Sequence, residues 1–423
     1  MKKLLSLIVL SLFAVIVADG QDKDTLEVQK IGNKYYVIMD HPKPDSSFSA
    51  GYTPPVSRKF DSHFMVVGLA TVGFLNTWAS TQINTPTGVI KSKMPVSNSF
   101  GDVAHFEFSP MFIWRHSTNL LVEFEPSFNN GGLGVNWAAI SYFAYPGVII
   151  RAGYLTLPFG TYTKRLAAGW ICKLATDPIS ITSSPVGSDW GIEIEGGLPA
   201  GNMKVNYDVA FTNGFIHSGV DGSIANPGLN PIDNNLGKTV TGRFGLMPWS
   251  NSSVEIGLSG LYGKAGDANT LYKNISTYMG AVDFQWTYSK NPVAINIKGQ
   301  YNLAYVTRAN YINPTDSTQM YTYQNLSMGY YGLFAIRPVV SNKILRNLEL
   351  AIRYSAFNTP KNSTFENHIG QFSVGLDYWL NWRTVFKITY ENLITTNPDN
   401  QTLGISNLKT VQNVLYAQFS VQF

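Results

Sequence analysis

Paired carboxylates are the first residues in this sequence whose spacing could support chemistry. Glu123 and Glu125 form one pair and Glu193 and Glu195 another, each two residues apart. On a strand this spacing places both members on one face, where a hydrated carboxylate stays ionised. A general acid instead needs a raised pKa, usually from burial. We therefore expect the pairs, together with Arg151, to line an aqueous interior, and we favour this over an acid–base pair or a calcium site.

The segment 158–187 is the longest connection that we expect between strands. It contains Lys164, Arg165 and Lys173 but only one acid, Asp177, so it is cationic. A cationic loop opposite a mostly acidic wall predicts a transverse field that selects ions, since low-dielectric walls focus such fields. The alternative is that these are solvated loop charges with no part in a constriction.

Other kinds of site find little support in the sequence. The 6 histidines have neither the i, i+4 spacing of a helical metal site nor a partner cysteine pair. No serine stands out with a nearby histidine and amide, and no glycine-rich phosphate loop precedes a helix. Cys172 is the single cysteine, so we expect a loop thiol without a disulfide. We predict no enzyme, cofactor or metal, and a formal net charge of +4 is too mild to indicate nucleic acid.

From Phe64 to the last residue, apolar and polar residues alternate. The final segment shows the pattern clearly, with Leu415, Phe419 and Phe423 on one face and Gln418 on the other. Alternation fits both a soluble sandwich and a membrane barrel, but strands longer than ten residues favour the barrel. The predicted strands are 64–78, 102–115, 118–129, 134–144, 147–157, 188–199, 203–213, 238–249, 252–264, 276–289, 292–308, 322–338, 346–358, 367–380, 383–395 and 410–423.

The connections between these strands alternate between long and short. Long loops on one rim and tight turns on the other are typical of bacterial outer-membrane barrels. Most tryptophans lie near predicted strand ends, where their rings would form two girdles at the membrane surfaces. The sequence therefore predicts an all-β fold, a closed antiparallel 16-stranded transmembrane β-barrel with short periplasmic turns and long extracellular loops. A barrel of this size leaves an aqueous channel unless something plugs it.

The chain divides into three predicted regions. Residues 1–20 are predicted to be a signal peptide, because two lysines precede an apolar stretch too short to span a bilayer comfortably as a helix. A retained anchor is the alternative. Residues 21–60 are predicted to form a periplasmic lead-in with a short strand at 35–39, or to enter the lumen. Residues 61–423 are predicted to form the barrel.

Two segments resemble a known family. The terminal Phe423, preceded by apolar residues at every second position, resembles the signal that the barrel assembly machinery reads in Gram-negative barrels. The stretch from Arg151 to Gly160, followed by Lys164-Arg165 and residues 170–173, is similar to the region entering the third long loop of the phosphate-selective porin O/P superfamily, notably uncharacterised porins from Bacteroidetes-type bacteria.

The resemblance implies an outer-membrane porin surrounded by lipid and lipopolysaccharide. It also implies a homotrimer, and a segment 158–187 that folds into the barrel and narrows it. Those relatives often have a His-Pro pair where this chain has Leu166-Ala167-Ala168-Gly169, and the arginine ladder associated with phosphate selectivity is not visible. Phosphate specificity is therefore not carried over.

The expected function is passive diffusion of small hydrophilic solutes or ions across the Gram-negative outer membrane. One alternative is a solute-specific channel for an anion or an oligosaccharide. Another is a barrel without transport that acts as an anchor or adhesin in an envelope complex, with the predicted loops 79–101 and 214–237 as its working surface.

Overall fold

The computed structural model describes residues 28–31, 34–37, 63–85, 88–94, 97–100, 106–169, 171–226, 228–229, 237–249, 251–398 and 407–423. The predicted signal peptide lies outside them. A separate unit before residue 45 contains a two-stranded hairpin, β1 (Val28–Ile31) and β2 (Lys34–Val37), and β2 overlaps the strand predicted at 35–39. Each helix in the described ranges is too short or too polar to cross a membrane.

The second unit consists almost entirely of strands. Its strands are β3 His63–Thr85, β4 Gly88–Lys93, β5 Ser97–Phe100, β6 Phe106–Arg115, β7 Leu120–Asn129, β8 Gly132–Tyr145, β9 Val148–Thr156, β10 Ser188–Ala200, β11 Met203–Thr212, β12 Ile216–His217, β13 Ile224–Ala225, β14 Thr239–Met247, β15 Val254–Lys264, β16 Ser276–Lys290, β17 Val293–Val306, β18 Tyr311–Ile312, β19 Met320–Tyr321, β20 Leu326–Pro338, β21 Leu348–Asn358, β22 His368–Asn381, β23 Thr384–Asn397 and β24 Leu408–Gln422. The short helical elements are Tyr162–Leu166, Ile179–Thr182 and Lys343–Arg346.

These strands close into one antiparallel barrel with sixteen positions. β4, β5 and β6 follow one another along the same edge of β3 and together fill a single position. β24 closes the ring by pairing with β3 from Leu408↔Ile83 to Gln422↔Leu69. The small hairpins β12–β13 and β18–β19 stand apart from the ring. Closure pairs the backbone groups of the edge strands, which cannot remain unpaired in lipid. The predicted 16-stranded barrel is confirmed.

The structure corrects one predicted loop. Residues 79–101 were expected to form a long connection, but β3 continues to Thr85, and β4 and β5 return beside it. This hairpin has no apolar outer stripe, because most of its residues are polar. Alternation of apolar and polar residues identifies only strands that have one apolar face. It therefore did not predict this extension of β3.

The two faces of the barrel are the reverse of those in a soluble protein. On β22, Phe372 and Leu376 are exposed on the outer face, whereas Ser373 and Asp377 are fully buried on the inner face. The same alternation runs around the ring, and its exposed residues are mostly large and apolar. An apolar outer band and a polar interior are the features of a transmembrane barrel.

The tryptophan girdles are only partly as predicted. Among the residues that the structure describes, five tryptophans are exposed: Trp78, Trp114, Trp190, Trp249 and Trp382. Trp379 is instead buried on the inner face, where its indole N–H donates to Glu349 at 2.7 Å. The guanidinium carbon of Arg151 lies 5.8 Å from the centroid of the Trp137 ring. Both rings contact charged groups of the polar interior. Position near a strand end does not predict this, because it does not say which face of the strand a tryptophan occupies.

Candidate functional site

The segment between β9 and β10 is held by side chains of the inner wall. The backbone N–H of Gly160 donates to Ser259 Oγ at 2.9 Å, and that of Ala175 donates to Thr389 Oγ1 at 3.0 Å. Ser180 N–H donates to Ser355 Oγ at 3.0 Å. These wall residues belong to β15, β23 and β21. Because the segment has little regular secondary structure, the wall supplies partners that its backbone would otherwise lack.

Lys164 reaches an acidic cluster on the wall. Its ammonium contacts Glu193 and Asp208 and lies 2.8 Å from Glu195 Oε2. Burial disfavours the charged ammonium, but Asp208 and the two glutamates together raise the pKa of Lys164 above its ordinary value. From the opposite side, Arg151 donates to Glu193 at 3.3 Å and to Glu195 at 3.0 Å. Two cations therefore share three buried carboxylates.

The three carboxylates of this cluster have the spacing of a cation site. Glu193, Glu195 and Asp208 each offer an oxygen, and these oxygens lie within 4.8 Å of one another. Oxygen ligands in this number suit a hard divalent cation. The Lys164 ammonium already occupies the space between them. The chain thus supplies its own cation there.

The two other predicted loop cations attach elsewhere on the wall. Arg165 lies 3.0 Å from Glu255 on β15. Lys173 lies 3.1 Å from Glu349 on β21 and 5.1 Å from the centre of the Trp379 ring. Each pair is largely buried, and breaking a buried pair costs about 3–5 kcal/mol because an uncompensated charge remains. The segment is therefore fixed at three separate points.

Arg353 forms a fourth attachment that the sequence analysis missed. It is fully buried on β21 and donates to the backbone oxygens of Thr176 and, at 3.0 Å, of Asp177. Its guanidinium also lies 3.8 Å from Glu391. A partner that is a backbone carbonyl leaves no trace in sequence, so only the inward position of Arg353 could have been predicted.

Lys387 on β23 forms a fifth attachment. Its ammonium donates to the backbone oxygens of Gly169 and Cys172. Both neighbours of Lys387 in sequence, Phe386 and Ile388, are exposed on the outer face. Alternation alone could therefore have identified Lys387 as an inner-face cation, although not its partners.

Glu123 and Glu125 also lie on the inner face but away from the loop cations. Glu123 accepts from Ser141 Oγ at 3.3 Å, and Glu125 accepts from Asn136 Nδ2 at 3.3 Å. Of the eight predicted site residues, four form one cluster, Arg165 and Lys173 stand at two other points, and these two glutamates stand apart. The expected field between loop cations and wall acids across water is wrong, since those charges are in contact.

Beside the segment, a cleft of about 420 Å³ separates it from the wall formed by β3, β6, β7, β8 and β24. Its lining contains two carboxylates, Glu107 and Asp177, and no lysine or arginine among the described residues. The lining residues are Thr71, Glu107, Ser127, Asn129, Asn136, Ala167, Gly169, Cys172, Leu174, Ala175, Thr176, Asp177, Thr182 and Gln418.

Comparison with known proteins gives structural matches only. No protein-family model matches the chain, and no curated protein matches it. The outer membrane channel DcaP of Acinetobacter baumannii is similar in fold, with 13% identity, coverage of 88% of this chain and 99% of that chain, and a TM-score of 0.52. An anion-selective porin from Comamonas acidovorans has 11% identity, coverage of 86% and 100%, and a TM-score of 0.48. OmpT of Vibrio cholerae, in a trimer form, has 10% identity, coverage of 86% and 99%, and a TM-score of 0.46.

The fold and the two faces lead to one conclusion about location. A closed antiparallel ring satisfies every strand edge, and its outer surface is a band of exposed apolar side chains. Such barrels span membranes of the bacterial outer-membrane type, where lipid contacts the apolar band. The chain is a multi-pass β-barrel of the outer membrane with the fold of outer-membrane channels.

Proposed function

We propose that this barrel is a porin through which small hydrophilic solutes or ions diffuse passively. The observation that carries the proposal is the segment 158–187, which is bound to the inner wall at several points and leaves a polar cleft between itself and the wall of β3, β6, β7, β8 and β24. A ring of sixteen strands encloses more space than side chains alone can fill. The segment narrows that space without filling it.

The predicted site residues have two roles in this proposal. Lys164, Arg165 and Lys173 hold the segment against the wall, and the carboxylates that receive them provide the matching charges. Arg151 supports two of those carboxylates. A constriction fixed by buried pairs keeps one width, because each break would expose an uncompensated charge. Glu123 and Glu125 belong to the wetted wall.

Liposome swelling tests the proposal. Purified protein is reconstituted into liposomes, which are diluted into isotonic solutions of a pentose, a hexose, a disaccharide or a trisaccharide. We expect rapid swelling with the pentose and progressively slower swelling with the larger sugars. A variant in which residues 161–181 are replaced by a short glycine–serine linker should admit larger sugars. Absence of swelling with every solute, from protein whose fold is verified by its heat-dependent mobility on gels, would exclude a porin.

The proposed partners follow from the resemblance and from the contacts of Phe423. The backbone N–H of Phe423 donates to Gly68 O at 3.0 Å, and its ring stacks on Phe108 with centroids 5.6 Å apart. Phe423 is thus part of the closed seam, so the assembly machinery would read it before closure. A homotrimer is also proposed, and the mass of the detergent-extracted complex tests it.

A further inference from the structure

The cations of the inner wall and of the segment are unevenly distributed around the lumen. Lys164, Arg165, Lys173, Arg353 and Lys387 all lie where the segment meets β10, β15, β21 or β23. Each is engaged with a carboxylate or a backbone oxygen. The positive charge is therefore engaged in holding the segment in place, and no lysine or arginine among the described residues lines the cleft.

The two acidic side chains that line the cleft accept hydrogen bonds from neutral side chains. Glu107 accepts from Ser109 at 2.6 Å, from Ser127 at 3.3 Å and from Asn136 at 3.0 Å. Asp177 is exposed and accepts from the Tyr162 hydroxyl at 2.7 Å, and Arg353 and Lys387 lie near enough to attract its carboxylate. One carboxylate comes from the wall and the other from the segment, so they border the cleft from two sides. No described cation forms an ion pair with Glu107.

A third residue of the cleft, Gln418, has a hydrogen-bond acceptor that lacks a donor in the part of the chain that the structure describes. Gln418 lines the cleft and is 4% exposed, and its amide oxygen has no hydrogen-bond partner among the described residues. A buried carbonyl oxygen without a donor is costly. A cation or an N–H donor bound beside Gln418 would satisfy that oxygen.

We propose that this cleft is the permeation path and that it selects for cations, both inorganic monovalent cations and small solutes with a protonated amine. Glu107 and Asp177 are the residues that determine this selectivity. The inference rests on the proposed porin function. Two carboxylates beside a narrow aqueous path raise the local concentration of cations and lower that of anions, because low-dielectric walls focus their field.

Reversal potentials in planar bilayers, measured under a potassium chloride gradient, test the inference. We expect the wild-type protein to prefer potassium, and the double variant E107Q/D177N to lose about fourfold in the potassium-to-chloride permeability ratio. The matched control is D316N, since Asp316 lies in the β18–β19 hairpin and bonds to Thr318 and Gln319. It should leave the ratio unchanged. A167K, which adds a cation to an exposed lining position, should shift the ratio toward chloride and does not depend on the double variant folding.

The outcomes separate the two proposals. Conductance without cation preference in the wild-type protein overturns the inference and leaves the porin function intact. A ratio that is unchanged in A167K, or in a correctly folded E107Q/D177N, overturns the assignment of the path to this cleft. Absence of conductance in the wild-type protein contradicts the porin function itself.

Discussion

The Lys164 cluster gives the sharpest prediction, because the structure places an ammonium where a metal ion could bind. Replacing Lys164 with alanine leaves Glu193 and Glu195 paired with Arg151, and it removes the one ion pair that Asp208 forms among the described residues. Removing one partner from a buried ion pair costs about 3–5 kcal/mol. In K164A the segment should therefore detach more readily from the wall. In the presence of a chelator, the single-channel conductance of this variant should be larger and noisier than that of the wild-type protein.

Calcium should repair this defect. The oxygens of the three carboxylates lie within 4.8 Å of one another, and three carboxylates can supply up to six oxygen ligands. We expect K164A to bind calcium with a dissociation constant of about 10⁻⁴–10⁻³ M, the range of extracellular calcium-binding modules. Single-channel recordings should then show that millimolar calcium makes K164A quieter, with little effect on the wild-type protein.

Two controls make the result interpretable. K361A removes an exposed loop lysine and should behave as the wild-type protein. K164A/D208N lacks one of the three carboxylates and should respond to calcium much more weakly. If K164A shows wild-type conductance and noise in both chelator and calcium, Lys164 does not anchor the segment and the reasoning about this cluster is wrong.

Three further predictions concern the wall, the outer face and the loops. R353M removes the donor to the backbone oxygens of residues 176 and 177, so limited proteolysis should cut the segment faster than in wild-type protein, and equal rates would contradict this role. L258R places a charge on the outer face near the middle of β15 and should cost about 2–4 kcal/mol in urea titrations of folding into vesicles, whereas S259T on the inner face should cost far less. Burial lowers the pKa of His217 from 6.5 to about 4. Between pH 4 and pH 6.5, a state in which the hairpin β12–β13 is open therefore binds more protons at His217 than the closed state does, and a falling pH favours opening. Protection of the hairpin β12–β13 from hydrogen exchange should be full above pH 6.5 and should fall as the pH drops toward 4; in H217Q this dependence should disappear, and persistence there would contradict it.

Alternation of residues was sufficient to predict the barrel strands, because lipid on one side and water on the other impose a period of two. The strands around Leu258 and Phe372 follow that rule, and their observed bounds differ from the predicted ones by only a few residues. The extension of β3 to Thr85 was not predictable in this way, since a strand beyond the bilayer needs no apolar stripe.

The site was predictable only as a set of inward-facing charges. Alternation placed Arg151, Glu193 and Glu195 on the inner face, where the structure buries them in contact with one another. It could not show that Lys164 would bridge to Asp208 or that Lys387 would bind backbone oxygens, because both depend on the path of an irregular segment. Contacts between distant parts of the chain leave no local pattern in one sequence.

The central claim is that the barrel holds a continuous column of water open to solutes. Recording single channels of the purified protein in planar bilayers, in potassium chloride solutions of increasing concentration, tests it most directly. An open water column predicts discrete steps whose current is proportional to voltage and grows with salt concentration. Bilayers that stay silent after verified insertion, at every salt concentration, would show that the lumen is closed and would contradict the account.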